Sequence, residues 1–189
     1  VRNYSIACIV MAVVALVACE QPAPHAASAS NFNVAAYVQQ EAKRLQAAQP
    51  AILKTVKTEH APTETIQLNH VNWGDELAVF EDADITKPTL QEYYSRQEQE
   101  LPDGSKAVSY QRIPDAKAPV SRLLLQISPS GNLQRLEATM HDENLLFYSE
   151  RNAILEANPQ NGHLQSYRIN GVQKLIFSDS LHYSIHVNL

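Results

Sequence analysis

Three consecutive side chains, His141, Asp142 and Glu143, carry the groups that acid–base chemistry or metal ligation needs: an imidazole titrating near neutrality and two carboxylates. They fall at a predicted turn, where they serve either as the site of an accessory hydrolase or metal-binding protein, or simply as a solvated turn. A second histidine pair, His182 and His186, is four residues apart. On a helix that spacing would put two imidazoles on one face, but Tyr183, Ile185 and Val187 alternate as in a strand, where the two histidines stand about 13 Å apart and cannot share one ion. Asp82 and Asp84, near the end of a predicted helix, either hold a cation, pair with Lys87 or are solvated at the helix end.

The five glycines, at 74, 104, 131, 162 and 171, are scattered one to a turn or helix start. They form no phosphate-cradling loop, no nucleophile elbow and no dinucleotide fingerprint. Aromatic side chains offer binding instead of catalysis. Trp73 on a helix and Tyr94, Tyr110 and Tyr148 on strands either line a ligand groove or pack the core. With 15 Lys and Arg against 20 Asp and Glu, the net charge of −5 argues against binding nucleic acid through phosphates. No metal and no organic cofactor is expected.

The positioning elements begin with the amino-terminal segment. Arg2 precedes an uncharged apolar run from Ile6 to Val17. A helix of 12 residues is about 18 Å long, too short for a bilayer core of about 30 Å, and fits a signal-peptide core. Leu16-Val17-Ala18-Cys19 then resembles the bacterial lipobox. That resemblance implies a signal peptide over 1–18, cleavage before Cys19 and acylation of Cys19 as the membrane anchor. Cys8 lies in the removed segment, so the mature chain would hold no free thiol. Residues 19–32, small, polar and proline-bearing after the cysteine, form a flexible tether.

Residues 33–189 are expected to make a single α+β domain. Asn33 caps a first helix that runs to Pro50, with Phe32 stapled on Tyr37. Asn72 caps a second, in which Asp75 and Glu76 complement the dipole and Trp73, Leu77 and Phe80 share one face. The remainder alternates with period two. It comprises hairpins over 53–59 and 64–70 and over 90–100 and 106–113, strands at 120–128, through Leu136 to Met140 and through Leu145 to Leu155, and two or three strands from 164 to 189, with Asn170-Gly171 as a turn or bulge. None of the ten prolines falls inside a predicted strand or helix. The fold expected is an antiparallel β-meander of about 8–10 strands, curved and partly covered by two helices.

Asn72 to Pro88, with its Trp73, Glu76-Leu77, Phe80 and Asp84-Ile85-x-Lys87-Pro88, resembles a segment of envelope lipoproteins typical of Bacteroidetes-type bacteria, and Tyr167-x-Ile169 and Tyr183-x-Ile185 are similar to that group as well. Thr86 stands where the group often has Asn. The resemblance implies location and fold over nearly the whole mature chain, and brings no catalytic residue with it. The expectation is a lipid-anchored protein of the cell envelope, outer-membrane and periplasmic or surface-facing. It would be non-enzymatic, with an apolar ligand, a glycan or an envelope protein as partner on the concave face of the sheet.

Overall fold

A computed structural model describes residues 32–189. The expected signal segment, Cys19 and the tether up to residue 31 lie outside the described residues. Helix α1 (Val34–Ala48) starts as expected: the Asn33 Oδ1 accepts the Ala36 N–H at 2.8 Å, and the rings of Phe32 and Tyr37 are 5.7 Å apart. It stops at Gln49, whose φ of 42° turns the chain left-handed just before Pro50. Gln49 then bonds both backbone groups of Val71, and the Gln46 Oε1 accepts the Trp73 N–H at 3.0 Å. The end of α1 thereby fixes the start of α2 (Trp73–Glu81). Asn72 occupies the predicted cap position of α2, but its side chain donates to Asp75 at 2.6 Å instead of capping the helix backbone.

Among the described residues nine antiparallel strands form one open sheet. In chain order they are β1 (Ile52–Thr58), β2 (Ala61–Leu68), β3 (Tyr94–Glu100), β4 (Lys106–Arg112), β5 (Val120–Ile127), β6 (Leu133–Glu143), β7 (Phe147–Ala157), β8 (Leu164–Leu175) and β9 (Leu181–Asn188). The spatial order is β2-β1-β9-β8-β7-β6-β5-β4-β3, a meander from β3 to β9 with the first hairpin joined to its far side through β1. The α+β meander is therefore what the chain forms.

Four local expectations are corrected. Leu90 lies in α3 (Pro88–Gln91), one helical turn, because Pro88 presets the φ of its first residue, and the strand starts only at Tyr94. Pro62 lies inside β2, at the sheet edge, where the register shifts between Val56 and Thr58 and no ladder partner is required of it. Gly171 is neither turn nor bulge: it pairs in unbroken register with Arg151 and Tyr183, and the turn falls after Leu175. The Tyr183 ring lies where a Cβ on Gly171 would stand, so an aromatic ring fills the space the missing side chain leaves. His141, Asp142 and Glu143 continue β6 rather than turning, since the ladder with β7 runs on to Glu143 opposite Tyr148.

Strand alternation gives the sheet two unlike faces. One carries Val108, Tyr110, Leu123, Leu125, Leu136, Ala138, Leu155, Tyr167 and Val187, all buried against α1 and α2 through Val38, Leu45, Trp73, Leu77 and Phe80. Phe80 meets Tyr167 edge to face at 5.7 Å. Glu76 of α2 reaches the same strands, pairing with Lys54 at 2.6 Å and accepting the Tyr167 hydroxyl. Burial, reinforced by that carboxylate, pushes the Tyr167 phenol well above its ordinary value. Phe32–Leu189 is a compact unit that holds the described core residues, and a 32–189 fragment is therefore the piece expected to fold. No helix among the described residues is long and apolar enough to cross a membrane.

Candidate functional site

The aromatic candidates are divided between the two faces. Trp73 has no exposed surface and sits between α2 and the sheet. Tyr94 and Tyr110 are buried on the helix-side face, and the Tyr94 hydroxyl donates to the Val120 carbonyl at 2.8 Å. Burial raises the Tyr94 phenol above its ordinary value. Tyr148 lies on the opposite face, near the start of β7, and shares no surface with the other three. Helices and core side chains thus cover Trp73, Tyr94 and Tyr110.

The acid–base candidates are also split. Because they lie on a strand, the side chains of His141 and Glu143 face one way, 3.3 Å apart, while that of Asp142 faces the other; His141 and Asp142 both border a pocket of about 210 Å³ lined also by Asp82, Ser149 and Arg151. His141 stacks edge-on against Tyr148 at 5.1 Å, and the Tyr148 hydroxyl donates to Glu150 at 2.9 Å. That hydrogen bond holds the phenol above its usual value. Asp84 bonds the N–H and hydroxyl of Thr86, at 2.9 and 2.6 Å, rather than Lys87. Among the described residues no three His, Cys, Asp or Glu side chains are grouped to hold a metal ion.

A groove of about 630 Å³ opens over β7, β8, β9 and β1. It is lined mainly by residues that alternate away from the helices: Lys57, Glu59, Glu150, Asn152, Asn170, Val172, His182 and Ser184. Register explains the arrangement. Asn152, Asn170 and Ser184 are cross-strand neighbours in one row, and Glu150, Val172 and His182 make the next. Adjacent groups are about 5 Å apart across the strands and about 7 Å along them, so amides, a hydroxyl, an imidazole and a carboxylate form a regular grid with apolar surface from Val172 between.

Such a grid can donate and accept to a ligand with several hydroxyls while its apolar patches cover C–H surface. For glycoside cleavage it is poorly placed: Glu59, in the turn after β1, and Glu150, on β7, are three inter-strand spacings apart, about 14 Å, beyond the 5–9.5 Å of acid–nucleophile and acid–base pairs. Sequence reading overlooked this row. Its signal was present in Asn152 and Asn170, since asparagine is depleted in strand interiors and two in register need a reason. No protein-family model, curated protein or solved structure matches the chain, so the site's own chemistry has to carry the functional reading.

Proposed function

We propose that the protein is a lipid-anchored envelope lipoprotein whose domain is a non-enzymatic binding module for a neutral, hydroxyl-rich ligand of the glycan class. The observation that carries the reading is the half-buried row of Asn152, Asn170 and Ser184 crossing three strands within the groove. Amide and hydroxyl groups satisfy sugar hydroxyls without the desolvation cost of a buried charge. Glu150 and His182 flank the row and extend the contact. Replacing Asn170 by Ala removes both a donor and an acceptor from the middle of the row. Calorimetric titration of a panel of envelope oligosaccharides should show binding weakened roughly tenfold or more, as expected for losing contacts worth about 1–3 kcal/mol, with the thermal midpoint little changed. Wild-type protein that binds none of the panel at millimolar concentration would sink the reading.

Anchoring is supported by the lipobox-like Leu16-Val17-Ala18-Cys19. Cys19→Ser should leave the precursor unlipidated and move the protein out of the membrane fraction, because acyl chains provide the attachment. A mature wild-type amino terminus at any residue other than Cys19, read by mass spectrometry, contradicts this.

A further inference from the structure

At one end of the sheet the turn joining β6 to β7 and the turn joining β8 to β9 stand side by side, linked by the Ile176 N–H donating to the Leu146 carbonyl at 3.0 Å. Their side chains are apolar and exposed: Leu145 at 92% and Phe177 at 96%, with Leu146, Leu175, Ile176 and Leu181 around them. Nothing in the domain's packing uses these residues, and scattered exposed leucines are ordinary where six clustered ones are not. The geometry points to a lipid-inserting tip, in which these two turns dip into the bilayer that holds the anchor.

Three observations favour lipid as the occupant. The turns close their own backbone bonds, Asn144 N–H to Phe147, Leu146 N–H to the Asn144 side chain and Ser178 N–H to Leu175, so insertion leaves few polar groups unpaired in hydrocarbon. The patch is made of turn side chains, with Leu145 and Phe177 almost wholly exposed, and a deformable lipid layer can surround such side chains on all sides. Chain length agrees too. The chain enters the domain at Phe32, beside Asn161 and Gly162 at the other end of β7, and β7, with 11 residues, is about 36 Å long. The 13 residues from Cys19 to Phe32 reach at most about 45 Å, enough for a domain lying along the bilayer to set anchor and tip in one surface. Within the two turns and their flanks Lys174 is balanced in charge by Asp179 and Glu143, with no basic cluster, so the contact does not depend on anionic lipid.

Placement on the anchoring bilayer rests on the Cys19 reading, whereas insertion itself is measured without it. The 32–189 fragment should float with phosphatidylcholine vesicles, equally at low and high salt. Leu145→Ser combined with Phe177→Ser should weaken flotation roughly tenfold or more at an unchanged thermal midpoint. A wild-type fragment that does not float, a double variant that floats as well as wild type, or a wild-type dimer that the double variant dissolves would each overturn the proposal, the last by assigning the tip to a second copy. Failure of the anchor reading would show instead in the fractionation of Cys19→Ser.

Discussion

Trp73→Ala lowers the stability of the domain by about 3–5 kcal/mol, a large part of the 5–15 kcal/mol that holds a typical domain. Trp73 is the bulkiest fully buried side chain among the described residues and opens α2, so its loss leaves a cavity between helix and sheet just where Gln46 and Gln49, at the end of α1, fix the chain. Leu77 and Phe80 continue the same face and cannot move into the gap without breaking the Phe80–Tyr167 contact. The indole Nε1 finds no hydrogen-bond partner among the described residues. Phenylalanine keeps most of the apolar volume and removes that orphaned donor, so Trp73→Phe should cost much less than Trp73→Ala. Thermal and denaturant unfolding followed by circular dichroism measures both. An unchanged midpoint for Trp73→Ala would mean the side chain is not part of the core.

A second large effect is expected at Glu41, a buried carboxylate on the face of α1 that is otherwise formed by Val34, Val38 and Leu45. Burial alone would raise its pKa. Two bonds from Arg44 Nε, one from Arg44 Nη2 at 2.7 Å, the Leu164 N–H at 2.9 Å and the His163 ring at 3.0 Å outweigh it, and the carboxyl is held below its ordinary 4.5. These bonds tie α1 to the start of β8. Glu41→Ala should cost roughly 1.5–3 kcal/mol, since the buried Leu164 N–H loses its acceptor, while the half-exposed Arg44 can rehydrate. Because the folded pKa lies below the unfolded one, the stabilisation is fully present above about pH 4.5 and is lost as the pH falls through the folded value. Glu41→Gln should therefore flatten the acid limb of the stability curve. A Gln variant that loses stability with wild-type steepness below that pH would show that Glu41 does not carry the effect.

Most of the fold was legible because its signals are local. The Asn33 cap, the Phe32–Tyr37 staple, the 3.6-residue period of Trp73, Leu77 and Phe80, and the alternation of Leu123, Leu125 and Ile127 each report on a few neighbouring residues. What failed was non-local. Gly171 reads as a turn until Tyr183 is known to lie over it, and Pro62 is tolerable only because β2 is an edge strand. His141, Asp142 and Glu143 read as a turn because their polarity hides the ladder with β7. The groove was illegible for a related reason: Asn152, Asn170 and Ser184 are 18 and 14 residues apart in the chain, and strand register alone brings them into one row. Exposed polar residues on the outer positions of strands look like ordinary solvated surface until that register is known.

The most direct test of the binding reading is to map the ligand's contact on the 32–189 fragment by amide chemical shifts while titrating the envelope oligosaccharide that binds it best. The account predicts shifts concentrated at Asn152, Asn170, Val172, His182 and Ser184, with α1, α2 and the 144–146 and 176–180 turns unmoved. Shifts centred on the helices, or on the apolar turns with the groove silent, would contradict it.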